Sequence, residues 1–210
     1  NGCVEPGIPG KHCSATSSIE FNLVAPLEMA LNNGRHPLMN WKLGPKTGVI
    51  EDGDFHSFEE FWGAFKKQCE FLFEQSVKGN NQLGAVYQKH QPAPLISSMT
   101  EGCIENGRGL TRGGAQYNSS GVSVIGLADV VDSLMAIKKL VFDMRTCSFE
   151  EMKEAIDNNF SNNPKLLAMI KAKAPRFGSG NDESLEMANS VTAMVHDYFA
   201  AQKNYRGGTH

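Results

Sequence analysis

A thiol and a carboxylate stand two positions apart at Cys3 and Glu5, in a short segment bounded by Gly2, Pro6 and Gly7. Such a loop lets both side chains converge on one small molecule. The plainer alternative is a buried cysteine beside a solvated glutamate, because free Cys is among the most buried residue types. A nucleophilic thiolate needs a basic neighbour or a helix N-terminus to lower its pKa, and an adjacent carboxylate does the reverse. The pair therefore suits a thiol that gives and takes hydrogen atoms while Glu5 separately moves a proton as general base or acid.

Other chemistry-bearing residues are sparser. Residues 107–121, GRGLTRGGAQYNSSG, hold five glycines in fifteen positions. A phosphate-binding P-loop needs Lys and Ser or Thr after its last glycine, whereas Ala115 and Gln116 follow Gly114 here, so the segment reads as a turn whose glycines permit close backbone packing. The six histidines never fall at i and i+4 and form no HExxH, so no metal site is expected. His12, the one nearest Cys3, reads as a loop-surface histidine. Five cysteines, Cys3, Cys13, Cys69, Cys103 and Cys147, are odd in number and contain no CxxC pair, which fits reduced thiols in a cytosolic protein. The aromatic set from Phe58 to Phe73 follows helical spacing and is a packing stripe rather than a base-stacking platform.

The composition narrows the classes further. A chain of 210 residues, 40% hydrophobic and 20% charged, can bury one ordinary core. Its net charge of −3 supplies no field for a nucleic-acid backbone. No apolar run approaches the ~20 residues of a membrane span, and the first ten residues lack the basic and apolar regions of a signal peptide. No nucleic acid and no membrane are expected as partners. The Asn-Gly-Cys start and the Arg-Gly-Gly-Thr-His end read as cuts from something larger.

The elements that must position these residues are mostly helical. Residues 1–19, rich in Gly, Pro and Ser, read as a loop that feeds a helix on Leu23, Val24, Leu27, Ala30 and Leu31, stopped by Gly34 and Pro37. Ser57-Phe-Glu-Glu60 has the pattern of a capping box and starts a long helix to about Gly79, with a resumption through Leu83 to Tyr87 before Pro92 and Pro94. A shorter helix is expected over Leu95–Glu105. Val122–Phe142 reads as a helix whose β-branched beginning also suits a strand. A second capping box at Ser148–Glu151, a first-turn proline after Asn163 and a last helix from Asp182 to Lys203 complete the expectation.

Four motifs in order carry a resemblance. Gly2-Cys3-Val4-Glu5-Pro6, then Gly113-Gly114-Ala115-Gln116-Tyr117-Asn118, then the run from Gly126-Leu127-Ala128-Asp129 through Lys138-Lys139-Leu140-Val141-Phe142-Asp143, and finally Ala174-Pro175-Arg176-Phe177-Gly178 with Asn181-Asp182, are similar to the glycyl radical enzymes of the pyruvate formate-lyase superfamily. The last motif departs from the family's APKxGND by a Ser-Gly insertion. The resemblance spans nearly the whole chain and implies a mostly helical fragment of a ten-stranded α/β glycyl radical enzyme barrel. Residues 1–210 would form part of the pyruvate formate-lyase-like barrel domain, with the radical-bearing glycine in a C-terminal part outside this chain.

What the resemblance implies about chemistry is specific. Cys3 corresponds to the thiyl-radical cysteine and Glu5 to the acid/base residue of the dehydratase and lyase branch. The activity implied is hydrogen abstraction followed by C–O, C–N or C–S elimination on a small hydroxylated substrate. Arylacetate decarboxylation in the same superfamily is the runner-up, fumarate-adding synthases fit the cysteine loop less well, and a noncatalytic helical scaffold is the reading from another class. The cofactor is a protein glycyl radical rather than a group held by this chain. The implied partners are the small-molecule substrate, a radical SAM activating enzyme with an iron–sulfur cluster and a second copy in a homodimer. The implied location is cytoplasmic, with a bacterial microcompartment as the alternative.

Thr16, Ser17 and Glu20 are the expected substrate-facing set, because they follow the cysteine loop; the same residues also suit an N-cap cluster for the first helix. In the diol dehydratases an Asp stands where this chain has Ser17. In choline trimethylamine-lyase Thr and Tyr stand where it has Thr16 and Glu20, so neither signature is complete. A carboxylate at Glu20 favours a hydroxylated or cationic substrate over one whose own carboxylate lies close, since like charges are costly in a desolvated site.

Overall fold

The computed structural model describes residues 7–47 and 55–210, with the side chains of residues 15–17 outside that description. Cys3 and Glu5 therefore lie outside the described residues. In chain order the elements are β1 (His12–Asn22), α1 (Val24–Leu31), β2 (Arg35–His36), β3 (Trp41–Lys42), α2 (Phe58–His90), α3 (Pro94–Ser98), β4 (Tyr117–Ile125), α4 (Leu127–Ile137), α5 (Phe149–Asp157), α6 (Pro164–Lys173) and α7 (Asp182–Ala200). The chain divides into two compact units, one built from residues up to Phe21, Leu72–Ile125 and Val195–His210, the other from Asn22–Phe71 and Gly126–Met194.

The first unit is organised by the pairing of β1 with β4. The strands run parallel from adjacent starts: the Tyr117 amide donates to Lys11 O. The expected loop over residues 1–19 thus becomes, from His12 on, an eleven-residue strand. Its polar sequence hides the period, but Ile19 and Phe21 are buried while Glu20 between them is exposed, which is the alternation of a pleat. Pairing with β4 gives those polar residues the backbone partners that a loop would take from water. Phe21 packs on Phe73 of α2 at 4.7 Å between ring centroids, and Phe73 in turn meets Phe199 at 4.8 Å. Asn80 Nδ2 donates to Ser18 O and fastens the strand to the same helix.

The helix α2 runs unbroken through Gly79 and Gly84 to His90, because propagation adds one hydrogen bond per residue and outweighs the ~1 kcal/mol penalty of each glycine. Pro92 and Pro94 end it, as expected. The helix expected over Leu95–Glu105 contracts to Pro94–Ser98, since Ser97 and Thr100 turn their hydroxyls onto the Ala93 and Ile96 carbonyls and the chain enters turns that Gly102 completes at φ 93°.

In the second unit the helix expected from Val122 begins only at Leu127. Residues up to Ile125 are strand, and Gly126 at φ 83° separates the two geometries. Helix α4 buries Val130, Val131, Leu134 and Met135, and its last turn widens to a π-helix over Lys138–Asp143. Phe61, Phe55 and Phe149 form an aromatic cluster with centroids 4.9–5.3 Å apart. The second capping box is complete: Ser148 Oγ accepts from the Glu151 amide at 3.0 Å and Glu151 Oε2 accepts from the Ser148 amide at 2.8 Å. The first is only half formed. Ser57 Oγ accepts from Glu60, but Glu60 Oε2 reaches the His56 amide rather than that of Ser57. Asn163 caps α6 ahead of Pro164, and α7 ends at Ala200, three residues earlier than expected.

Candidate functional site

The chain that follows Cys3 and Glu5 enters the described structure at Gly7 and turns at once. The amides of Lys11 and His12 both donate to Ile8 O at 3.1 Å, closing a tight turn in which Gly10 stands at φ 70°. An added Cβ on Gly7 would lie 3.0 Å from Ser14 Oγ, so the chain doubles back along the start of β1. The Glu101 amide donates to Gly10 O at 2.7 Å and Lys11 Nζ pairs with Glu101 at 3.2 Å, which ties the turn to the segment before β4.

Of the expected substrate-facing residues, Thr16 and Ser17 belong to the middle of β1 and Glu20 to its last third. The alternative reading as an N-cap cluster is overturned. Helix α1 starts after Leu23, which caps it without any side-chain bond, and Glu20 is three residues further back in extended backbone. One strand therefore spaces the three residues along a line. Glu20 lies eight positions beyond His12, about 26 Å at the rise of a strand.

His12 is not the surface-loop histidine expected. It is half-buried at the first position of β1, with Nε2 2.7 Å from Ser119 Oγ and its ring edge-on to Tyr117 at 6.2 Å. Beside it the glycine-rich segment does what its composition suggested. Gly113 sits at φ 77°, and a Cβ there would fall 2.3 Å from Arg206 O; one on Gly114 would fall 1.9 Å from Arg108 O. The glycine pair thus brings the backbones that carry Arg108 and Arg206 into contact with one loop.

A pocket of about 710 Å³ opens at this end of the two strands, with His12, Arg108, Gln116, Asn118, Arg206 and Thr209 among its lining. Arg206 is the residue sequence reasoning missed. It is 7% exposed, its Nη1 donates to Tyr205 Oη, and its Nη2 reaches Ser119 O and Ser120 Oγ. The signal was Arg206-Gly207-Gly208, a second glycine pair: a Cβ on Gly208 would collide with Asn118 O.

The described thiols are quiet. Burial pushes Cys13 up, against the lowering effect of Arg206, and burial with Glu70 nearby pushes Cys69 above the ordinary range. No group of three or more His, Cys, Asp or Glu side chains is poised to hold a metal among the described residues.

The family model described as pyruvate formate lyase-like matches residues 1–210. The chain belongs to that family. Among pyruvate formate lyase-like proteins, it is 32% identical to the trans-4-hydroxy-L-proline dehydratase of Clostridioides difficile over 99% of its own length and 26% of the relative's. The crystal structure of that enzyme with substrate bound superposes with a TM-score of 0.94 over the same shares of the two chains. The (2S)-3-sulfopropanediol dehydratase of Klebsiella oxytoca is 30% identical over 99% of this chain and 25% of its own. The indoleacetate decarboxylase of Tractidigestivibacter scatoligenes is 32% identical over 93% and 21%. The chain thus spans about a quarter of the length of the curated relatives it matches.

Proposed function

We propose that the protein containing this chain is a glycyl radical enzyme that abstracts a hydrogen atom from a small hydroxylated substrate and eliminates a neighbouring group across a C–O, C–N or C–S bond. The observation that carries this reading is the family match over all 210 residues, with dehydratases among the relatives. The radical glycine, carried in another part of the polypeptide, supplies the hydrogen-abstracting equivalent. Cys3 relays it: the sulfur gives up its hydrogen atom, takes one from the substrate carbon and returns it to the product. Sulfur suits this exchange because an S–H bond is close in strength to an activated C–H bond. Glu5, two residues away, accepts the substrate hydroxyl proton or delivers one to the leaving group.

In this reading Thr16, Ser17 and Glu20 hold the substrate. Their place on a strand supports the assignment, since a strand holds its residues at a fixed spacing and reaction rates depend on sub-ångström placement. The partners are a radical SAM activating enzyme with an iron–sulfur cluster and a second copy of the protein. The reaction belongs in the cytoplasm or in a bacterial microcompartment, and a closed pocket keeps water and oxygen from the radical. Arylacetate decarboxylation is the second reading, favoured by the 32% identity to an indoleacetate decarboxylase.

The test is turnover of the activated full-length protein on trans-4-hydroxyproline, diols, hydroxyalkyl sulfonates, amino-alcohols and arylacetates. Elimination from one of the first four is expected. Release of carbon dioxide from an arylacetate alone would replace this reading by the second. A Cys3→Ser protein should install its radical, visible by EPR, yet turn nothing over, because an O–H bond is too strong for the exchange. Normal turnover in that variant overturns the radical relay.

A further inference from the structure

We infer that the turn of residues 101–106 braces the end of the Cys3–Glu5 loop against the glycine-rich segment, which makes Gly102 and Asn106 positioning residues for the radical relay. The inference deepens the proposed function and rests on its assignment of Cys3 and Glu5. Its basis is a set of bonds that reach both ways from Glu101. The Glu101 amide donates to Gly10 O at 2.7 Å, and the Glu101 carbonyl accepts from the Gln116 amide at 3.0 Å. One residue thus uses both of its backbone groups to join two segments far apart in sequence. Lys11 O, next to Gly10, accepts from the Tyr117 amide at 3.0 Å. Bonds of this kind hold the three segments in register, because a slip leaves amides and carbonyls unpaired.

The brace lies close to the chemistry along the chain. Gly10 and Lys11 belong to the tight turn at Ile8, and Ile8 follows Glu5 by three residues. Three residues span at most about 10 Å even when fully extended, so Glu5 has little slack relative to the turn. Cys3 has only two residues more. Transfer of a hydrogen atom or a proton needs the reacting atoms within roughly 3–3.5 Å, and a misplacement of about 1 Å costs on the order of a hundredfold in rate. A displaced turn is therefore felt at both residues.

Gly102 is what lets the turn approach. It stands at φ 93°, and an added Cβ would lie 2.8 Å from Gly114 O and 2.9 Å from Gln116 N, both backbone atoms. No flexible side chain can move aside there, so a larger residue pushes Glu101 away from the segments it joins. The Gly102 amide donates to Glu105 Oε2 at 2.9 Å and its carbonyl accepts from the Asn106 amide at 2.9 Å, which closes the turn. Asn106 adds a side-chain tie, donating from Nδ2 to Gly114 O at 3.0 Å. The ion pair of Lys11 with Glu101 crosses the same junction, but both side chains are solvated and such a pair contributes little. Positioning therefore falls to Gly102 and Asn106.

The test separates positioning from stability in the activated full-length protein. Without substrate, the Cys3 thiol exchanges its hydrogen with D2O, and each round of the relay carries deuterium to the radical glycine. Loss of the α-hydrogen splitting from the EPR signal measures the rate of that relay. Gly102→Ala should install its radical, yet take up deuterium and turn over substrate about a hundredfold more slowly. Asn106→Ala, at an exposed position that leaves the fold intact, should slow both about fivefold, the worth of one hydrogen bond. It decides the matter should Gly102→Ala fail to fold. Variants that melt lower but take up deuterium at the wild-type rate are merely structural and overturn the inference. Uptake abolished by Cys3→Ser but unchanged in both turn variants leaves the relay standing and removes the brace. Uptake undiminished in Cys3→Ser overturns the relay itself, and this inference with it.

Discussion

Cys3 and Glu5 illustrate how much two residues can say and how little they fix alone. The carboxylate beside the thiol argues against a thiolate and for separate movement of a hydrogen atom and a proton. At this scale the expected outcome for Glu5→Gln in the full-length enzyme is a fall in turnover of roughly two to four orders of magnitude, the usual worth of general acid–base catalysis, with the EPR radical signal retained. A near-normal rate would assign the proton step to another group. A second prediction concerns Cys69, fully buried beside Glu70 and pushed above the ordinary thiol range. The folded state holds its proton more tightly than the unfolded state, so the contribution to stability is complete below about pH 8.5 and is lost as the pH rises past it. Denaturant midpoints of the intact protein should therefore fall above that pH, and less steeply in Cys69→Val. Equal slopes would remove Cys69 as a cause.

Secondary structure separates residues that look alike in sequence. Gly79 and Gly84 both lie inside α2, yet an added Cβ meets nothing within 4 Å at the first and falls 2.1 Å from the Tyr205 ring at the second. Gly79→Ala should raise stability by about 0.5–1 kcal/mol, the backbone-entropy difference, while Gly84→Ala should lower it; thermal melts of the intact protein check both signs. The capping box of α5 supplies a further test. Ser148→Ala removes the acceptor for the Glu151 amide and should cost about 1 kcal/mol. Both capping residues and the Asn163-Pro164 start were legible because a cap is a local bond between neighbours in sequence. The strand β1 was not, since its partner β4 starts about a hundred residues away and nothing in a polar run announces a distant pairing.

For the molecule as a whole, the family match over the full chain and its quarter share of the relatives' length set the expectation. Within the described residues large apolar side chains stand in solvent, among them Leu38 at 87% exposure, Leu95 at 73% and Ile104 at 71%. Expressed alone, the 210 residues should bind a hydrophobic dye and melt without a sharp cooperative transition. A monomeric chain with one sharp melt and no dye binding would show that these faces need no cover.

The sequence by itself determined the family, through four motifs in order, and most of the helices, because periodicity and caps are properties of adjacent residues. It also marked the glycine-rich segment as a turn that lets backbones pack closely, as Gly113 and Gly114 do. Only the tertiary structure decided that Thr16, Ser17 and Glu20 belong to a strand rather than a helix cap, and that Arg108, His12 and Arg206 share a pocket. The physical reason is the same in both cases. Strand pairing and the burial of Arg206 against Ser119 and Ser120 depend on residues brought together from roughly a hundred positions apart, and no local pattern records those contacts.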